Sequence, residues 1–304
     1  MQASTIAAGS IAFIGFGEAA RAFLDGWRTN PGFSSRVAAY DIKTDSADPE
    51  VRAGKLADYA AAKVAGAKTA PEAAAGAEAV FLLVTADHAH EAALAALPGL
   101  AKGALVFDCD SCAPQTKALT AGKVEAAGGL YIDVAVMAAV RPRFHRTPLL
   151  ISGPHVETAA PALAALGMSA KVHDGPVGSA SAVKMIRSIM MKGLEALACE
   201  CLLAGRKAGV IETVLDSLDD TYPGFDWRKS SAYMLERVMT HGLRRAAEMR
   251  EVALTVDLLG LDSSMSRATA DWQQKIGDMA LRATADEAAD YRLLADRILA
   301  RLGG

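Results

Sequence analysis

Residues 10–27 read SIAFIGFGEAARAFLDGW. The apolar run 11–14 predicts a buried strand. It breaks at Gly15-Phe16-Gly17-Glu18-Ala19-Ala20 and continues as an amphipathic helix carrying Ala20, Phe23, Leu24 and Trp27. Gly15 permits a tight strand-to-helix turn, Gly17 lets the backbone approach a pyrophosphate, and Ala20 keeps helix and strand close. The free N–H groups at the helix start then face the phosphates. Gly15, Phe16, Gly17, Glu18 and Ala19 are therefore the expected dinucleotide-binding loop.

The segment RVAAYDIK, residues 36–43, predicts a second strand ending in Asp41, 24 residues beyond Gly17. An acidic side chain there accepts hydrogen bonds from the adenosine ribose hydroxyls and repels a 2′-phosphate. The expected cofactor is NAD, with NADP as the second choice because Lys43 is close by. Downstream, short apolar runs alternate with Ala-rich helical stretches. AEAVFLLVT (77–85), GALVFDCDS (103–111), GGLYIDVAVM (128–137) and PLLISG (148–153) read as strands, and ALGMSAKVHD (165–174) as an edge. One helix is expected near 56–64 and another near 88–97. Alternating βα units with apolar strands imply an α/β fold, a doubly wound, mainly parallel Rossmann sheet. Ligands bind beyond the carboxyl ends of such strands, which puts Thr85, Ser111 and Met137 on one rim, and Thr85 with Ala86 is expected to contact the cofactor.

Composition fits a two-domain enzyme. The 304 residues exceed one typical domain, and 52% hydrophobic residues suffice for substantial cores. A net charge of −3 supplies no basic field, so nucleic acid is not expected as a partner. No apolar run approaches the roughly 20 residues that span a bilayer. No basic segment precedes the first apolar run, and the expected compartment is the cytoplasm. Cys109-Asp110-Ser111-Cys112 has C-x-x-C spacing, but no second pair or histidine cluster completes a zinc site, and no metal is expected. Cys199 and Cys201 fall in a helical pattern as packed thiols. His88, His145 and His173 are isolated and read as structural.

At Gly175-Pro176-Val177-Gly178 the pattern changes. Residues 179–207 contain no convincing breaker, only Gly193 and Gly205, and predict a long interdomain helix of ~40 Å. Everything beyond it reads as helix, with turns near YPGFDW and GLDSS. The expected domains are 1–178, binding the dinucleotide, and 179–304, all-helical, for substrate and dimerisation. Along the long helix Val183, Ile186, Ile189, Met190, Leu194 and Leu197 form an apolar surface. Lys184, Arg187, Ser188, Lys192 and Glu195 form a polar stripe on another face. A lysine partly withdrawn from water there exchanges protons with a substrate hydroxyl or carbonyl. A solvated stripe is the bland alternative.

Over its first ~210 residues, in keeping with the domain sizes, the chain resembles the β-hydroxyacid dehydrogenases, which include 3-hydroxyisobutyrate, tartronate semialdehyde and 6-phosphogluconate enzymes. The glycine loop at 15–20 matches. DSCAP (110–114) resembles the family's S-T-x-x-P loop, and YIDVAVMAA (131–139) lies where the family has D-x-P-V-S-G-G. GPVGSASAVKMIRS (175–188) resembles G-x-x-G-x-x-x-x-x-K-x-x-N-N. The resemblance implies that Lys184 is the catalytic lysine and that Ser188 occupies the place of the catalytic asparagine, with Arg187 before it. Met137-Ala138-Ala139 replaces Ser-Gly-Gly, removing a hydroxyl donor and adding adaptable apolar surface. A substrate bulkier and less polar than a simple hydroxyacid is expected, bound by Ser111, Met137, Ala138, Ala139, Arg187 and Lys192.

HGLRRAAEMREVA (241–253) resembles a branch in which an uncharacterised helical domain (DUF1932 type) follows a 6-phosphogluconate-dehydrogenase-like NAD-binding domain. His241, Arg244, Arg245 and Glu248 share one helix face. His241, Arg245 and Glu248 are expected to bind an anionic or phenolic substrate group, against the alternative of a surface salt-bridge ladder. The implied reaction is hydride transfer to or from nicotinamide with Lys184 as general acid or base, with decarboxylation following if a β-keto acid forms. A nucleotide-binding lyase with no net redox change and a non-catalytic nucleotide sensor are the alternatives. The resemblance also implies a homodimer.

Overall fold

Ile6 and residues 9–302 are described by the structure, a computed structural model. The chain forms two compact units, residues 1–185 and 186–304.

The first unit is built on eight strands in the order β3-β2-β1-β4-β5-β6-β7-β8. These are β1 (Ser10–Ile14), β2 (Arg36–Tyr40), β3 (Ala65–Gly66), β4 (Ala79–Leu82), β5 (Leu105–Asp108), β6 (Leu130–Val136), β7 (Leu149–Ser152) and β8 (Ala170–Val172). All neighbours are parallel except β6 and β7, which pair antiparallel. The order reverses between β1 and β4, the switch point at which doubly wound sheets bind ligands. Strands β1, β4 and β5 are buried almost throughout because apolar groups cover both sheet faces. On one face Phe13 stacks on Trp27 at 5.5 Å and Phe81 on Phe107 at 4.7 Å. On the other, Ala12, Ile14, Val80, Leu82 and Tyr131 pack with the Ala-rich helices.

Helix α1 (Glu18–Trp27) buries Ala20, Phe23, Leu24 and Trp27, the predicted positions. Helix α2 spans Pro49–Ala61 and so starts well before residue 56. The Asp48 side chain accepts the Glu50 N–H at 2.9 Å, and Pro49 at the first helical position needs no acceptor. Helices α3 (Ala70–Ala74), α4 (Ala89–Ala96), α5 (Pro114–Ala126) and α6 (Val156–Ala165) complete the layers. The expected edge segment 165–174 contributes only the three residues of β8.

Helix α7 (Ser179–Ala208) is continuous across 30 residues, Gly193 and Gly205 included, about 45 Å at 1.5 Å per residue. Its start belongs to the sheet unit and the remainder to the second unit. That unit is all-helical: α8 (Ile211–Thr221), α9 (Trp227–Leu258), α10 (Ser264–Gly277) and α11 (Tyr291–Leu302) follow. The breaks after α8 and α9 fall at the two predicted turns. Its core is Leu202, Leu215, Leu235, Val238, Ile276, Leu294 and Ile298 with their neighbours. Helices α9 and α10 approach so closely that a Cβ on Gly242 would lie 2.6 Å from the Gln273 carbonyl oxygen. A Gly242→Ala variant is expected to lose about 1–3 kcal/mol by overpacking, measured by urea denaturation. No helix among the described residues is long and apolar enough to cross a membrane.

Candidate active site

The glycine loop sits at the carboxyl end of β1. Gly15 has φ +87°, which favours glycine, and a Cβ on it would meet the Leu83 carbonyl oxygen at 2.4 Å. Gly17 is the N-cap of α1 with no side-chain cap, and the space where its Cβ would stand is open. An uncapped helix start with open space before it fits a pyrophosphate. Glu18 is exposed, Ala19 half-buried and Phe16 fully buried in the core.

Asp41 lies at the end of β2, but its carboxylate is also the brace of the loop. Oδ2 accepts the Phe16 N–H at 2.9 Å and Oδ1 accepts the Lys43 N–H at 3.0 Å. The buried Lys55 of α2, which the sequence reading missed, stands 3.6 Å from Asp41. It donates to the Phe16 carbonyl at 2.8 Å and to Asp58 at 2.8 Å. Nothing in local spacing distinguishes Lys55 from a solvated helix lysine. The Asp41 carboxylate has about four lone-pair sites, so these contacts leave acceptor capacity for ribose hydroxyls. Asp41→Ala is expected to weaken NAD binding roughly tenfold to a hundredfold, read by isothermal titration, since bonds to charged groups contribute about 1.5–3 kcal/mol. Unchanged affinity would refute the ribose assignment.

The β4 and β5 turns continue the rim. The Val84 N–H donates to Asp110 Oδ1 at 2.7 Å, and the Asp110 N–H donates to Asp108 Oδ1 at 3.0 Å. Thr85 is exposed at the start of a short 3-10 turn, with Ala86 buried behind it. Asp110 is almost fully buried, and burial, reinforced by Asp108, pushes its carboxyl well above the ordinary aspartate value. Asp108 at the end of β5 accepts from Lys117 Nζ of α5 at 2.6 Å and from the Tyr131 hydroxyl. Burial opposes charge on Lys117, but Asp108 and Asp133 outweigh it and raise its pKa. Burial raises the Cys109 pKa as well, and all four cysteines are free thiols.

Ser111 follows directly. Lys184 Nζ donates to its hydroxyl at 2.6 Å. The lysine is half-buried and is held there by the start of α7. Asp133 of β6, fully buried, accepts N–H bonds from Gly178 and Ser181 at 3.0 Å each, and the Ser181 hydroxyl at 2.5 Å. Ser152 Oγ donates to Asp133 at 2.9 Å and accepts the Ala180 N–H at 2.9 Å. A carboxylate at a helix N-terminus is favoured by the helix dipole, so Asp133 anchors the turn that carries Lys184. These anchors explain why residues 179–185 belong to the sheet unit. Met137, Ala138 and Ala139 follow β6, with the Met137 N–H taken by the Pro148 carbonyl at 2.9 Å.

In the helical unit the polar stripe of α7 meets α9. Lys192 Nζ donates to Ser188 Oγ at 3.0 Å and pairs with Glu248 at 3.0 Å. Arg245 pairs with Glu195 at 2.7 Å. Ser188, Lys192, Glu195, Arg245 and Glu248 are all buried, so this face is not a surface ladder. Burial raises the Glu195 pKa although Arg245 and Lys192 pull it down. Arg187 is exposed on α7. Partial burial, then Arg237 and Arg244, push the His241 pKa down to about 3 from 6.5. An unfolded histidine takes up a proton as pH falls below about 6.5, and the folded one does not until about 3. His241 therefore makes stability rise with pH across that window. His241→Phe is expected to flatten the acid side of the melting-temperature profile between these values, measured by calorimetry.

The residues that build this rim match a known family model. Residues 10–175 match the NAD binding domain of 6-phosphogluconate dehydrogenase, and residues 206–276 match a domain of unknown function, DUF1932. The chain belongs to this family. Its sheet unit is an NAD-binding domain with the fold of NAD(P)-dependent oxidoreductases. A conserved hypothetical protein from Sinorhizobium meliloti 1021 is 37% identical, aligned over 97% of this chain and 96% of its own, with a TM-score of 0.68. The conserved protein MTH1747, of unknown function and described as structurally similar to 3-hydroxyacid dehydrogenases, is 25% identical over 94% and 99% with a TM-score of 0.65. A Mycobacterium tuberculosis 3-hydroxyisobutyrate dehydrogenase solved with L-serine shares the fold at 16% identity, over 95% and 98%, with a TM-score of 0.68. No curated protein matches the chain.

Proposed function

We propose that this chain is an NAD(P)-dependent oxidoreductase of the hydroxyacid-dehydrogenase type, acting on a small molecule that carries a secondary or primary hydroxyl. The observation that carries the reading is Lys184 Nζ at 2.6 Å from Ser111 Oγ on the turn after β5. That turn is joined through Asp110 and Val84 to the β4 end, against which the glycine loop packs.

Nicotinamide, when bound, supplies the hydride acceptor or donor. Gly17, Glu18 and Ala19 at the uncapped start of α1 would hold the pyrophosphate, while Gly15 and Phe16, whose N–H groups are taken by the Tyr40 carbonyl and Asp41, shape the turn; Asp41 would hold the ribose, and Thr85 and Ala86 would line the approach to the ring. Lys184 takes the substrate hydroxyl proton in oxidation and returns it in reduction, and Ser111 fixes the lysine and the reacting oxygen. The family resemblance puts Ser188 in the place of a longer amide and on that ground assigns its hydroxyl to the substrate, with Arg187 and Lys192 assigned as positive charges. Met137, Ala138 and Ala139 offer an apolar wall, which supports a substrate bulkier than a simple hydroxyacid, anionic or aromatic. His241, Arg245 and Glu248 are assigned to its polar end, although Arg245 and Glu248 already hold ion pairs with α7.

The enzyme is read as cytoplasmic and homodimeric. Exposed Met190 and Leu197 on α7, Leu261 in the turn before α10 and Met265 at the start of α10 supply apolar surface for a second copy. Light scattering after gel filtration tests the dimer.

A screen of hydroxyacids, aryl alcohols and their carbonyl counterparts, followed at the nicotinamide absorbance, tests the reaction. Saturable turnover that depends on the dinucleotide is expected. Product formation without nicotinamide turnover would overturn the assignment.

A further inference from the structure

Asp41 at the end of β2 would by its own charge repel a 2′-phosphate, but it does not stand by itself. The buried Lys55 of α2 brings its ammonium to 3.6 Å from Asp41 Oδ2. The same nitrogen donates to the Phe16 carbonyl at 2.8 Å and to Asp58 Oδ2 at 2.8 Å. Asp58 has a second cation, Arg21 of α1, at 2.9 Å. Arg21 and Asp58 therefore match one another, and the charge of Lys55 remains to offset Asp41. Lys43 and Asp45, the other charged residues in the turn 41–46, are one of each sign. Among these groups Arg21, Lys43 and Lys55 balance Asp41, Asp45 and Asp58. Without Lys55, one negative charge is in excess.

Position matters as much as the balance. Lys55 is only 6% exposed and the Asp41 side chain 12%, so solvent and salt screen this pair far less than a surface pair. The Asp41 carboxylate is fixed by the Phe16 N–H at 2.9 Å and the Lys43 N–H at 3.0 Å. Lys55 is fixed by its own two hydrogen bonds, which tie α2 to the glycine loop. Neither charge can turn away from the other without breaking bonds. A third charge brought to Asp41 therefore meets the field of a pair and not of a lone carboxylate.

We infer that Lys55 sets the dinucleotide preference: by offsetting Asp41, it lets the adenosine end of the site admit the 2′-phosphate of NADP as well as the free ribose of NAD. Lys55 acts through Asp41 and the Phe16 carbonyl and is a positioning residue. The exposed Lys43 of the same turn is the cation assigned to the phosphate. The inference rests on the assignment of Asp41 to the ribose made above; the substrate hydroxyl and Lys184 play no part in it.

Dissociation constants of NAD and NADP are measured by isothermal titration on the full chain at fixed ionic strength. The proteins are wild type, Lys55→Met, and Lys55→Met combined with Asp41→Asn. The quantity read is the ratio of the NADP constant to the NAD constant. In wild type the two are expected to lie within about tenfold of each other. Lys55→Met is expected to raise the ratio about tenfold or more, the order of one screened unit charge acting on a phosphate several ångströms away. In the double variant the excess charge is gone, and the ratio should return to within about threefold of wild type.

A lysine that only braced the loop would weaken both dinucleotides alike and leave the ratio unmoved. That result in a folded Lys55→Met, checked by near-ultraviolet circular dichroism, would overturn the inference. So would a wild-type preference for NAD beyond tenfold. If Lys55→Met does not fold, the wild-type ratio and the double variant, which buries no unmatched charge at this pair, still decide. Binding of neither dinucleotide to wild type would remove the cofactor assignment along with the inference, whereas binding of both with an unmoved ratio removes only the role of Lys55.

Discussion

Lys184→Ala is expected to lower turnover by about a hundredfold to ten-thousandfold while dinucleotide affinity stays within a factor of two or three. The range is that of removing one well-placed general acid or base. Affinity should hold because Lys184 lies on α7, whereas the pyrophosphate and ribose contacts proposed above fall at β1, α1 and β2. The loss should not be structural. Lys184 is half-buried, and the helix start that carries it is anchored by Asp133 and Ser152 rather than by the lysine. Lys184→Arg separates charge from chemistry: it preserves a cation beside Ser111 but cannot give up its proton. Both variants should be slow in single-turnover measurements of nicotinamide absorbance. Full activity of either would remove Lys184 from the reaction.

Lys117→Met is expected to destabilise the protein by about 3–5 kcal/mol, the range for leaving one member of a buried ion pair unmatched. Lys117 is fully buried and Asp108 almost so. Without the lysine, the Asp108 carboxylate loses its 2.6 Å partner and keeps only the Tyr131 hydroxyl and the Asp110 N–H. The Asp108 carbonyl loses its 2.7 Å bond from Lys117 as well. Equilibrium urea unfolding measures the loss. Adding Asp108→Asn to Lys117→Met should recover part of it, because the uncompensated charge is then gone. If the single variant lost under 1 kcal/mol, the pair would not be holding the end of β5. Ser111 stands three residues beyond Asp108, so the single variant should also slow catalysis more than a distant core mutation of equal cost.

The readable features were local ones. The glycine loop, the helix with Phe23, Leu24 and Trp27 on its buried face, and Asp41 at the end of the second strand are written in spacings of a few residues. So is the uninterrupted helix from Ser179. The likeness of residues 175–188 to a family segment singled out Lys184, and the fold lays it against Ser111. The start of α2 was misjudged because its signal is the cap Asp48 and Pro49 rather than apolar periodicity.

What spacing does not encode is which charges meet. Asp41 read as a ribose acceptor, yet folding also makes it the acceptor of the Phe16 N–H and a neighbour of Lys55. Arg245, taken for a ligand or a surface ladder, is buried against Glu195. Asp133 was only one letter of a motif until its carboxylate appeared beneath the first turn of α7.

The amino-acid order alone determined the strand–loop–helix start, the alternation that makes a parallel sheet, and the all-helical second half. Each depends on backbone preferences and apolar periods that act over one or two turns. Only the tertiary structure decided which carboxylates and cations are paired and which of them brace the loops. Burial and distance set the energy of a charge, and both arise when segments far apart in the chain are brought together.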